Sequence, residues 1–180
     1  MIAQLGAFVT ILDEMQQEVW HILTALYTYQ RIAESTAKSA TRYEMANHIV
    51  SANSLAEMLV IRVARMADKT KGTRSVSLLL KRSNFGERAE LVAQAGQEFL
   101  SLSEPVVKIR HEQVAHMKPG VLSSYPLEPL QSVVVRAIEA LVDLIDAARG
   151  ETVSYVYKVG SMEAKVDLRA SLANGFMVTM

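Results

Sequence analysis

Apolar residues recur at helical spacing along most of the chain. Phe8, Leu12, Met15, Val19, Ile22 and Leu26 form one stripe and predict a long first helix that fades near Ser35, with Trp20 packing as core. Thr41 and Glu44 have the spacing of a capping box, in which each side chain satisfies the other residue's backbone donor, so a second helix should start there. Its stripe of Met45, Ile49, Ala52, Ala56, Leu59, Val63 and Met66 carries it to about Asp68. Residues 69–74, with Gly72, read as a loop, and residues 75–82 as a short helical piece. Asn84 and Glu87 form another capping pair, opening a helix through Leu91, Ala95, Phe99 and Leu102.

Pro105 suits a first helical turn, where its missing donor has no partner anyway. Residues 106–117 are therefore expected as a separate helix or a bent continuation, stopped by Pro119 and Gly120. The three prolines and two serines of residues 118–129 read as a loop. Val134, Ile138, Leu141, Ile145 and Ala148 predict the last core helix, ended by Gly150. In the tail, TVSYVYKV alternates like a strand, and the segment after it reads as a short helix capped by Ser161 and stopped by Asn174 and Gly175. The expectation is one all-α domain: an antiparallel bundle of about five helices over residues 1–150, with 151–180 as an arm and short helix.

A chain of 180 residues, half of them hydrophobic, can bury a real core as one domain. It contains no cysteine, which excludes disulfides and thiolate zinc sites and fits a cytoplasmic location. Asp13 and Glu14 interrupt the apolar start, and no basic leader precedes it, so neither a signal core nor a membrane span is expected. Net charge is zero, without the basic balance of a nonspecific nucleic-acid binder. The distribution is uneven. Eight basic residues, among them Arg62, Arg65 and Lys69, lie between positions 62 and 88 against only Asp68 and Glu87. That run reads equally well as a solvated helix end and loop or as a phosphate-tracking surface.

The segment KIRHEQVAHMKPG sets an arginine into an apolar face. At ~100° per residue, Val106, Val107, Ile109, Val114 and Met117 share one side, Lys108, His111, Glu112 and Ala115 the other, and Arg110 falls within the first. A guanidinium keeps its charge at ordinary pH, so a buried Arg110 needs a carboxylate, a ligand or a partner surface. His116 lies at the edge of the same face, one turn before the stop.

RHEQVAH, residues 110–116, matches the R-x(4-6)-H signature of HEPN domains, with a polar residue, His111, after the arginine. LVIRVARMADKTKGTRSVSLLL, residues 59–80, is similar to the abortive-infection branch of that superfamily, and the resemblance spans roughly residues 5–149. It implies a HEPN-like helical homodimer acting as a metal-independent endoribonuclease of the toxin or phage-defence kind, without a cofactor. Arg110 and His116 would be catalytic, His111 and Glu112 would orient substrate, and Arg62, Arg65, Lys69 and Lys118 would contact RNA. The implied partners are a second copy, RNA and, in toxin systems, an antitoxin protein. The alternative within the same resemblance is a non-catalytic dimer acting as an interaction or regulatory protein.

The chemistry is consistent with those residue types. RNA cleaves itself when its 2′-hydroxyl is deprotonated and attacks the adjacent phosphorus, provided that developing charge and the departing oxygen are served. A histidine can move the protons, and an arginine can clamp the phosphate through paired donors. A second segment, RYEMANH at 42–48, also fits the R-x5-H spacing. Arg42 there sits in a first helical turn, where a cation opposes the helix dipole, so this pair reads as an exposed arginine and a satisfied core histidine.

Overall fold

The computed structural model describes residues 2–39, 41–82, 84–115, 130, 132–158 and 165–173. The protein is an all-α bundle with one small hairpin. Its elements are α1 (Ile2–Ser39), α2 (Arg42–Met66), α3 (Val76–Arg82), a 3-10 turn (Gly86–Arg88), α4 (Ala89–Ile109), a π-helical turn (Arg110–Ala115), α5 (Ser132–Arg149), β1 (Val156–Lys158), β2 (Lys165–Asp167) and α6 (Leu168–Ala173).

The first helical hairpin forms as its pattern demands. Thr41 caps α2 by accepting from the Glu44 N–H at 3.3 Å, while its own N–H donates to Glu44 Oε2 at 2.8 Å. Thr36 faces His48 near the tip, and Glu18 pairs with Arg62 further down at 2.6 Å, so the two helices run antiparallel. The expected stripe is buried at Ala52, Leu59, Val63 and Met66, but Met45 is exposed because the first turns of α2 lie outside the packed core. The helix ends at Ala67, and Gly72 takes a positive φ of 87° in the following loop.

α4 packs most extensively on α5 and begins differently from the sequence expectation. Neither Phe85 nor Arg88 makes a side-chain cap hydrogen bond, so the predicted Asn84–Glu87 cap gives way to a 3-10 turn leading into the helix. The buried stripe is Val92, Gly96, Phe99, Ser103 and Val106, one residue out of phase with the expected Leu91, which is 55% exposed. A Cβ on Gly96 would come within 2.8 Å of Leu80, so the glycine lets α3 approach α4 closely. Pro105 lies inside α4 rather than opening a new helix. Its missing donor leaves the Ser101 carbonyl without its intrahelical partner.

α5 ends as predicted. Gly150 adopts φ 76°, and Arg88 Nη1 donates to the Ala148 carbonyl at 3.0 Å, closing the helix terminus against the start of α4. The chain then turns back over α1. Trp20, half-buried rather than core, donates through Nε1 to the Val156 carbonyl at 3.0 Å, and the Leu168 N–H donates to the Tyr155 carbonyl at 2.9 Å. β1 and β2 pair antiparallel in the register Val156 with Asp167, Tyr157 with Val166 and Lys158 with Lys165. The second strand occupies positions expected to be helical, and α6 begins only at Leu168, after Asp167 accepts from the Arg169 N–H at 2.9 Å. Ser161, Asn174 and Gly175, the predicted cap and stop, lie outside the described residues. Tyr155, Leu168 and Leu172 are buried, so this tail contributes to the core.

Candidate functional site

The segment that carries the Arg110 signature is not α-helical. From Arg110 to Ala115 the backbone widens into a π turn, whose hydrogen bonds close five residues apart instead of four. The extra residue changes the angular placement of every side chain beyond Ile109, so the face drawn at α-helical spacing holds only in part. Val106 is buried and Ile109 and Val114 are half-buried; Val107, in the α-helical turn before the π turn, is 38% exposed and leaves the expected face for a reason unrelated to it. Glu112, expected on the solvent side, is half-buried, whereas His111 is exposed. Arg110 itself is half-buried, intermediate between the apolar interior and solvent. A helical periodicity search assumes one residue spacing throughout and has no signal for a local π turn.

The π turn packs against α2, just past whose end lies Asp68. Asp68 Oδ1 accepts from the Thr70 N–H at 2.8 Å. Hydrogen bonds from Thr70 chiefly, and the positive charge of Arg110 to a lesser degree, hold the Asp68 carboxyl below its usual range. Asp68 was not among the expected site residues. Its sequence signal is an Asp two residues before a Thr at a helix end, which marks a turn rather than a site.

His116 and Lys118 lie outside the described residues. The remaining expected RNA contacts differ in environment. Arg65 and Lys69 are exposed. Arg62 is engaged with Glu18, and its neighbour in the basic run, Arg74, lies 3.2 Å from Glu14 and 3.8 Å from Glu18. Acids on α1 thus neutralise part of the run of charge between residues 62 and 88.

The second R-x5-H segment is resolved in full. Arg42 is exposed, and His48 is half-buried rather than core, with Nδ1 3.0 Å from Thr36 Oγ1. Thr36 donates its hydroxyl proton to the Ile32 carbonyl at 2.8 Å, so His48 must be the donor in their bond. His21 is exposed and meets Trp20 edge-on.

Clefts among the described residues lie elsewhere. One of 160 Å³ is bordered by Asp13, Gln16, Trp20, Arg149 and Tyr155, and one of 560 Å³ by Glu139, Asp143, Asp167 and Arg169. Neither is lined by Arg110. In the second, burial and then the Asp146 charge raise the Asp143 carboxyl above its ordinary range. Tyr155 is buried with its hydroxyl unpartnered among the described residues, and desolvation raises its pKa. No helix among the described residues is long and apolar enough to cross a membrane. Comparison with protein-family models, curated proteins and solved structures returns no match.

Proposed function

We propose that this chain is a HEPN-type, metal-independent endoribonuclease of the toxin or phage-defence kind, working as a cytoplasmic homodimer. The observation that carries the reading is Arg110: a permanently charged group, half-buried, at the opening of a π turn. Such turns concentrate at functional sites, and this one coincides with the R-x5-H segment. Arg110 would clamp the scissile phosphate and stabilise its developing charge, and His116 would transfer protons to and from the ribose and leaving oxygens. His111 and Glu112 would orient the substrate, and Arg65, Lys69 and Lys118 would follow the flanking phosphates. One arginine and one histidine six residues apart in one chain would surround a phosphate poorly, so a two-fold dimer supplying two of each would complete the site. An antitoxin covering that shared cleft is the partner such a toxin would require.

A second reading has its own support. Arg62 is already paired with Glu18 and Arg74 with Glu14, as a non-catalytic dimer acting as an interaction protein would need. Arg65 and Lys69 are exposed, however. The deciding experiment incubates the purified chain with single-stranded RNA in excess EDTA. The nuclease reading expects cleavage that Arg110→Ala and His116→Ala abolish while the dimer persists by light scattering. Intact RNA with wild-type protein leaves the interaction reading in its place.

A further inference from the structure

The outer face of α2 carries residues that a helix in water normally avoids. At ~100° per residue, Tyr43, Ala46, Ser54 and Glu57 fall within about 40° of Val50, on the side opposite the buried Ala52, Leu59 and Val63. Tyr43 is 87% exposed and Val50 50%. Residues 45–56 contain no Asp, Glu, Lys or Arg in a chain that is 21% charged, so more than three turns lack the side chains that keep a solvent face wet. Interface cores are depleted of charge in this way and bordered by polar rims. Here the borders are Arg42 and Glu57, both exposed and neither ion-paired with a described residue.

Those two charges select the occupant. They lie ~22 Å apart on the same flank of the stripe, with Val50 almost midway. A second α2 running antiparallel, related by a two-fold axis crossing near Val50, keeps each flank against its own copy. Arg42 then meets the partner's Glu57 at both ends at once, as a self-complementary interface requires. An anion there also suits the positive end of the α2 dipole. Val50 packs on its own copy at the axis, and Ala46 and Ser54, one turn to either side, are small enough for the helices to approach.

We infer that this face of α2 is a self-association surface, covered by a second copy of the chain in an antiparallel pair centred on Val50. The inference goes beyond the nuclease reading and does not depend on RNA being cut.

Light scattering on the full-length chain, over a range of concentrations, should give twice the chain mass of 19.9 kDa. Val50→Glu sets two carboxylates together at the axis and should weaken association on the order of 100-fold. Leu91→Glu, at a position 55% exposed on α4, should leave the mass unchanged. Arg42→Glu and Glu57→Arg should each weaken association roughly tenfold, and the double reversal should restore it. Circular dichroism confirms that each variant is folded. Because the chain has no cysteine, Val50→Cys reports the axis directly: oxidation should link two copies, which needs Cα atoms within about 7 Å, and Leu91→Cys should stay unlinked.

A wild-type monomer overturns the inference whatever the RNA assay gives. So does a dimer that Val50→Glu leaves intact, which puts association on another face and leaves the nuclease reading its dimer. Failure of the double reversal to restore association, or of Val50→Cys to link, overturns the antiparallel pairing that selects a second copy.

Discussion

Replacing Gly150 by alanine tests how α5 is closed. The backbone there has φ 76°, in the left-handed region that costs a residue with a Cβ roughly 1–2 kcal/mol. The added Cβ would also stand 2.3 Å from Arg88 Nη1 and 3.0 Å from its Cζ, so the guanidinium must move away from the Ala148 carbonyl it now caps. A hydrogen bond from a charged donor contributes about 1.5–3 kcal/mol, and partial exposure of Arg88 reduces that to roughly 1. Lower entropy of the unfolded chain returns about 0.4–1 kcal/mol. The net loss is then about 1.5–2.5 kcal/mol, or a melting temperature lower by roughly 3–10 °C for a chain of this size.

Urea unfolding followed by circular dichroism measures the difference directly. Arg88→Ala serves as the control, because it loses the cap without the backbone strain. In that background Gly150→Ala should cost only the strain term, roughly 1 kcal/mol. A neutral or stabilising Gly150→Ala, or an equal cost in both backgrounds, refutes the argument that Arg88 and Gly150 share one space.

Three further outcomes follow from contacts elsewhere in the bundle. Asp146 accepts from the Val153 N–H at 2.9 Å and pairs with Arg169 at 2.9 Å, so Asp146→Ala should free the tail at a cost of about 1–3 kcal/mol. Hydrogen exchange should then show early loss of protection at the Val153 amide; retained protection contradicts the assignment. Thr41 bonds lower the Glu44 pKa below its ordinary 4.5, so the stability it contributes is complete above that value and fades as pH falls through the lower folded pKa. The gap between wild type and Glu44→Ala should therefore narrow between pH 7 and pH 3, and an undiminished gap at pH 3 argues against the cap. Neutral His48 should carry its proton on Nδ1, readable from its nitrogen chemical shifts; a proton on Nε2 instead contradicts the bond to Thr36.

Where local chemistry and core packing point the same way, the fold was legible from residues alone. Thr41 and Glu44 announce α2, Gly72 and Gly150 mark exits with positive φ, and the stripe from Val134 to Ala148 matches the buried face of α5. Misreadings arise where packing overrides a local signal. Leu91 is as apolar as Val92, and only contact with the rest of the bundle selects Val92 for the interior. The tail shows the same limit, since a three-residue strand depends on the partner strand it meets. At the candidate site, Arg110 is expected within the buried apolar face and is only half-buried, and the π turn that begins there is a long-range consequence of how α4 rests on α2. No spacing rule contains it.

The most direct test of the central claim is the chemistry of the RNA ends. Attack by the 2′-hydroxyl leaves a 2′,3′-cyclic phosphate or its hydrolysed 3′-phosphate on one fragment and a 5′-hydroxyl on the other. Mass spectrometry of an oligonucleotide cut by the wild-type chain in EDTA should show those ends, and a 2′-deoxy substitution at the cut position should block cleavage. Fragments ending in a 3′-hydroxyl and a 5′-phosphate, or unimpeded cutting of the 2′-deoxy substrate, would contradict the mechanism assigned to Arg110 and His116.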